Sequence, residues 1–377
     1  MFKKTDPNPQ LDIFTAPSMQ LGSRASKKYS DPNSWHNQFY SLVTTKIDEE
    51  IFKPLFPEGK KSGRPNASIR ILVAMSVLKE GFGCSDEDLF EKCEFDLLTR
   101  KALGMELLTD VTPSIDTYYL FRRRICEYQE RTGIDLMQLC FEQLAGKHVH
   151  LLKISGKCVR MDSKLIGSNI ARQSRYELIH TTLVKFLKTC TPTHLSPEQE
   201  ERAKEYLKED SSKTVYRSDS DTLQSNLARI GNFIMEMLAV FPATSPAHDL
   251  LLRLFEEQYV VMDGKAVLRD KKEVKADSLQ NPNDPDATYR AKNDQKVQGY
   301  VTNITETVEE GKPNIITSVQ VETAVFADCH FLQEAVENSE RVTDSTIEDL
   351  YADGAYQSPD NREFAKNHNA MQLKTGK

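Results

Sequence analysis

The spacing of apolar residues changes three times along this chain, and that order constrains the fold more than any other feature. From Trp35 to Leu144 they recur at helical intervals. After Gly146 they follow strand patterns, V-H-L-L-K-I-S and then K-C-V-R-M-D. From Ala171 to about Val261 helical spacing returns, and from Gln298 onward alternation resumes. A helical block with strands on both sides reads as an insertion into an α/β domain. The expected fold class is therefore multi-domain α and α/β. An all-helical domain at 36–147 precedes a mixed-sheet core at 148–170 and 288–377. A helical insertion with a surface loop occupies 171–287. Residues 1–35, rich in Pro, Asn, Ser and Lys without periodicity, read as an irregular N-terminal arm.

Within the first domain, helices are expected over Trp35–Phe56, Ile69–Gly81, about Glu87–Leu103, Ser114–Gln129 and Ile134–Leu144. Ser85 followed by Asp86, Glu87 and Asp88 suits a helix start, where free N–H groups want acceptors and negative charge. Helix Ser114–Gln129 carries Arg122, Arg123 and Arg124, with Ile115, Tyr119 and Ile125 as its apolar members. A short helix and a T-P-S turn ahead of it fit a helix-turn-helix reader of DNA, and equally fit plain helix packing. Lys60, Lys61 and Arg64 form a second basic cluster, suited to phosphate contact or to a solvated loop.

Composition narrows the classes of function. The 377 residues are 39% hydrophobic and 28% charged, ordinary for a globular chain with room for two or three domains. No apolar run approaches bilayer length, and the N-terminus lacks a secretory pattern. Seven scattered cysteines, never in a C-x-x-C pair, argue for reduced thiols in the cytoplasm and against a zinc or disulfide framework. The eight histidines show no ligand spacing. A net charge of -7 argues against indiscriminate coating of nucleic acid, but leaves room for a DNA enzyme with local basic clusters.

The chemistry concentrates in two carboxylates. In G-K-C-V-R-M-D-S-K-L-I-G-S (Gly156–Ser168), a short apolar run carries Asp162 to the expected end of a strand. That is a position for a turn residue or for a metal ligand on a rigid edge. A hairpin follows at Gln298–Glu306 and Ile315–Thr323, then a helix at Cys329–Ser339 and a strand, L-Y-A-D-G-A-Y, ending in Asp353. Asp-Gly alone signals a hairpin. The Ser358-Pro359-Asp360 helix start behind it favours a strand–turn–helix junction, and M-Q-L-K-T-G begins one more strand. Strand with Asp, hairpin, helix, strand with Asp, helix is the order of an RNase H-like core. Its first and fourth strands are neighbours, which would set Asp162 beside Asp353. Adjacent carboxylates repel unless a divalent cation lies between them, the arrangement of two-metal phosphoryl transfer.

The chain resembles bacterial insertion-sequence DDE transposases with an InsH-like helical N-terminal domain. The resemblance rests on S-G-R-P-N-A-S-I-R-I-L-V-A-M-S-V-L-K-E-G-F-G-C-S-D-E-D-L-F-E-K-C and T-P-S-I-D-T-Y-Y-L-F-R-R-R-I. In the catalytic part it rests on V-R-M-D-S-K, D-P-D-A-T-Y-R-A-K with Q-G-Y-V, and L-Y-A-D-G-A-Y. It implies Mg²⁺-dependent DNA cleavage and strand transfer at element ends, with Mn²⁺ as a substitute. The implied catalytic and metal-binding acids are Asp162 and Asp353. The implied DNA contacts are Tyr289, Arg290 and Lys292, with Arg122, Arg123, Arg124 and Arg64 as further candidates. The implied partners are the terminal inverted repeats of its own element, target DNA and a second copy in a homodimer. The family's third acid, a Glu on a helix after the last core strand, has no counterpart before Lys377, and Glu363 comes too early. The expectation is a C-terminally incomplete transposase with little transposition on its own. The alternative is a non-catalytic DNA-binding or regulatory fragment.

Overall fold

The structure, a computed structural model, describes residues 2–5, 17–56, 66–190, 195–241, 245–292, 295–369 and 371–375. The chain divides into two compact units. One comprises Met1–Val159, Glu306–Ser318 and Val336–Asp349; the other comprises Arg160–Thr305, Val319–Ala335 and Leu350–Lys377.

The first unit is mainly helical, with α1 (Pro17–Gln20), α2 (Ser23–Ser30), α3 (Trp35–Leu42), α4 (Ile69–Phe82), α5 (Asp86–Phe95), α6 (Leu97–Leu103), α7 (Ile115–Thr132) and α8 (Leu136–Leu152). The starts of α4 to α8 each carry a side-chain cap. Ser68 accepts from the Ile71 N–H, and Ser85 with Asp88 forms a reciprocal capping box. The expected single helix over 87–103 is two, because the Asp96 carboxylate accepts from the Leu98 N–H and restarts the chain as α6. Similarly, the pattern at 35–56 is α3 followed by 3-10 turns at Thr44–Lys46 and Glu49–Leu55. Phe52, Ile69, Met75, Leu89, Phe121 and Leu136 belong to one buried core.

Two expectations fail here. The N-terminal arm at 1–35 is without regular structure at 2–5 but helical further on. It forms α1 and α2, buries Tyr29, and inserts Thr5 against Glu49, whose carboxylate accepts from the Thr5 N–H at 2.6 Å and the Arg70 N–H at 3.0 Å. A carboxylate this buried needs donors, and residues 2–5 supply them. The strand expected at 149–155 is the end of α8 instead. Leu136, Cys140, Ala145 and Val149 line one buried face, carrying the helix past residue 147 until Lys153 turns into the left-handed region at φ 53°.

The second unit contains most of a six-stranded sheet. Its strands are β1 (Cys158–Gly167), β4 (Thr288–Lys292), β5 (Gln295–Thr307), β6 (Ile316–Thr323), β7 (Asp349–Ala352) and β8 (Gln372–Thr375). The order is β4-β5-β1-β7-β8, with β6 also paired to β5. Gly299 on β5 is required by close approach: a Cβ there would lie 2.2 Å from the Ile166 carbonyl oxygen and 2.6 Å from the Ser168 nitrogen. The two helices of this region are α14 (Leu332–Thr343) and α15 (Pro359–Asn367).

Between β1 and β4 lies the insertion, with α9 (Arg175–Leu187), α10 (Pro197–Lys208), α11 (Ser211–Arg217), α12 (Ser220–Val240) and α13 (Pro246–Gln258). A hairpin, β2 (Tyr259–Met262) with β3 (Lys265–Leu268), follows where only helix and loop were expected. Its signal is present in the sequence as Asp263-Gly264 between apolar runs, a two-residue turn with both residues at positive φ. The insertion has its own core, including Ile179, Leu183, Phe186, Phe233 and Leu254. Among the described residues no helix is long and apolar enough to cross a membrane.

Candidate active site

Asp162 lies on β1 and Asp353 directly after β7, and these strands are neighbours in the sheet. At their starts the Asp349 N–H donates to the Lys157 carbonyl at 3.1 Å, so the strands leave one edge together and run parallel. A similar number of residues further along, each reaches its aspartate. Asp162 stands in mid-strand rather than at the strand end expected, because β1 continues to Gly167. Asp353 is the N-cap of a 3-10 turn, Gly354–Tyr356, and its Oδ1 accepts from the Ala355 N–H at 2.7 Å. The Asp162 Oδ1 likewise accepts from the Ser163 N–H at 2.8 Å. Both residues are exposed, and among the described residues neither carboxylate is ion-paired to a Lys or Arg.

Beneath the two acids sits Tyr356, fully buried. Burial pushes its phenol well above the ordinary tyrosine value. The Ser163 hydroxyl opposes this, while the negative charges of Asp328, Asp162 and Asp353 add to it. One buried hydroxyl thus feels three carboxylates. It donates to the Asn303 Oδ1 at 2.7 Å; the Asn303 amide donates to the Gln320 Oε1 at 2.9 Å, and the Gln320 amide to the Glu334 Oε2 at 3.0 Å. Asn361, at the start of α15, donates to the carbonyls of Tyr356 and Cys329 at 2.8 and 2.7 Å. This chain of satisfied polar groups fixes the turn that carries Asp353.

The third carboxylate, Asp328, plays a different part. It is buried, and Arg290 Nη1 lies 3.4 Å from its Oδ1. The same nitrogen donates to the carbonyls of Phe326 at 3.0 Å and Ala324 at 3.3 Å. Arg290 is therefore engaged inside the unit, tying β4 to the turn Asp328–Phe331, which packs on Gly354–Tyr356. Sequence reasoning overlooked Asp328, Asn303 and Tyr356, whose partners are distant along the chain.

The other candidates are dispersed. Tyr289 and Arg290 are consecutive on β4, opposite Gln298 and Val297, and so point to opposite faces of the sheet. Lys292 ends β4, and its side chain lies outside the described residues, as do Lys60, Lys61 and Arg64. On α7 the buried face is Tyr118, Phe121 and Ile125, not Ile115 and Tyr119, which are exposed. Arg122 lies 4.0 Å from Asp86, Arg123 lies 3.6 Å from Glu127, and Arg124 lies over the Phe56 ring at 5.7 Å. The connection from α6 to α7 spans Gly104–Ser114, far longer than the three or four residues of a helix-turn-helix.

Carboxylate oxygens are the ligand type a hard divalent cation takes, and Mg²⁺ needs few protein ligands because it keeps several waters. Among the described residues no group of three or more His, Cys, Asp or Glu is arranged to hold a metal.

Residues 28–124 match a family model described as "Transposase domain (DUF772)". No curated protein matches the chain. No solved structure matches it either.

Proposed function

We propose that the chain is a DNA transposase whose reaction centre is the carboxylate pair Asp162 and Asp353. The observation that carries the reading is the pair itself: two exposed aspartates without cationic partners among the described residues, on neighbouring parallel strands around one buried tyrosine. The match of residues 28–124 to a transposase domain supports the substrate class. The strand order β6-β5-β1-β7-β8 supports an RNase H-like reading of the sheet.

In this reading Asp162 and Asp353 hold Mg²⁺, or Mn²⁺ in its place, and DNA phosphodiesters at the ends of the element are the substrate. When bound, the cation supplies Lewis-acid polarisation of a phosphoryl oxygen and charge stabilisation in the transition state. The chain's own part is positional. Strand β1 fixes Asp162 on a rigid element, and the Tyr356–Asn303–Gln320 network fixes the turn that presents Asp353. Arg290 lies 3.4 Å from Asp328 and ties β4 to the turn packed on Gly354–Tyr356.

The test is cleavage of element-end DNA by the full chain with Mn²⁺. Asp162→Asn and Asp353→Asn should each lower the rate at least roughly a hundredfold, the scale of losing metal-borne charge stabilisation. Cleavage at the wild-type rate in either variant sinks the assignment.

A further inference from the structure

The three arginines of α7 are not equivalent. Arg122 faces Asp86 and Arg123 faces Glu127, so both are at least partly balanced. Among the described residues Arg124 has no carboxylate or hydrogen-bond partner; its guanidinium lies over the Phe56 ring, 5.7 Å from the centroid. Tyr128 and Arg131 follow it at the helical spacings i+4 and i+7, on the same face. Arg131 repeats the arrangement, with its guanidinium 5.6 Å from the Tyr128 ring centroid and again no carboxylate partner among the described residues. Pro54, Leu55 and Phe56 form the facing wall of an open groove of about 310 Å³. Among the described residues Glu127 is the one carboxylate lining it, and it is engaged by Arg123.

A guanidinium laid on an aromatic face is held in orientation while its N–H edge stays open, ready for paired hydrogen bonds to an oxyanion. Seven residues of helix span roughly 10 Å, so two such groups suit two separate anions of one extended ligand better than a single small one. Guanidiniums already cover both rings, which leaves charge and N–H donors, and little apolar surface, to meet the ligand. A peptide needs side-chain pockets; a phosphodiester backbone does not.

We propose that this groove is a docking site for the backbone of duplex DNA, with Arg124 and Arg131 each holding a separate phosphate. The proposal rests on the DNA-substrate reading above and names a surface that reading does not contain.

The experiment is fluorescence anisotropy of the full chain with a labelled duplex over a series of KCl concentrations. The R124Q/R131Q variant is compared with wild type and with R122Q/R123Q, each at unchanged melting temperature. Each phosphate contact contributes about 0.9 to the slope of log affinity against log salt. The R124Q/R131Q slope should fall by nearly two such contacts, with affinity at low salt down at least ~tenfold, and R122Q/R123Q should keep most of the slope. Should R124Q disturb the fold through its contact with Phe56, the exposed change R131Q alone should remove about one contact. An unchanged slope in R124Q/R131Q overturns the proposal, as does a wild-type chain that binds no duplex. Displacement of the duplex by poly-glutamate as readily as by unlabelled DNA also overturns it and assigns the groove to an acidic peptide. Asp162-dependent cleavage with an unchanged slope defeats this proposal alone. Duplex binding without cleavage defeats only the catalytic reading.

Discussion

The hydroxyl of Tyr356 is the atom on which the local order of the candidate site turns. It is buried, and its acceptor, Asn303, is buried too. Tyr356→Phe keeps the ring but leaves that amide oxygen without its donor, which should cost about 1–3 kcal/mol in urea denaturation. A loss under ~0.5 kcal/mol would mean that the bond contributes little. Thiols test the packing of the first unit at the same scale. Burial pushes Cys93 up to about 12 and Cys140 up to about 11, whereas Cys126 is exposed. A thiol reagent at neutral pH should therefore label Cys126 quickly, and Cys93 and Cys140 only as the domain unfolds. Fast labelling of Cys93 in the folded protein would contradict the buried core. Asp162 and Asp353 are legible in the sequence because each ends a short apolar run. Arg290 is expected there as a DNA contact, because nothing near it in sequence reveals the distant carboxylate and carbonyls that hold it.

Elements were legible where their signals are local. The helix start at Ser85 and the hairpin of β5 and β6 follow from short patterns. Longer-range effects were not. α8 runs through Gly146 because tertiary burial of Val149 outweighs a glycine's modest helix penalty. The α7 stripe was misphased because tyrosines suit either environment, and packing chose Tyr118 over Tyr119. One glycine shows how closely elements of the insertion meet. At Gly231 of α12 a Cβ would fall 2.3 Å from the ring of Tyr259, which is itself buried and donates to the Leu227 carbonyl at 2.9 Å. Gly231→Ala should destabilise by roughly 1–3 kcal/mol through overpacking, despite alanine's better helix propensity. A stabilised variant in chemical denaturation would contradict that contact.

Across the whole molecule, stability should fall with acid before the carboxylates titrate. His180 in the insertion is buried, and burial lowers its affinity for a proton below the ordinary 6.5; Glu209 and the Tyr206 carbonyl partly oppose this. The folded state thus binds the proton less well than the unfolded chain. Its contribution is complete above about 6.5 and is lost as pH falls from there through the lower folded value. Melting curves should show this loss above pH ~4, where ordinary carboxylates titrate. His180→Gln, which keeps a donor for the Tyr206 carbonyl, should flatten that window. An identical slope in both proteins would remove His180 as the cause.

The reading of the whole chain depends on Asp162 and Asp353 acting as one site, and binding of Mn²⁺ to the full chain, followed by electron paramagnetic resonance, tests that most directly. Binding should be saturable and weaken at least ~tenfold in Asp162→Asn and again in Asp353→Asn, because each removes one of two charged oxygen ligands. Equal Mn²⁺ affinity in wild type and both variants would contradict it.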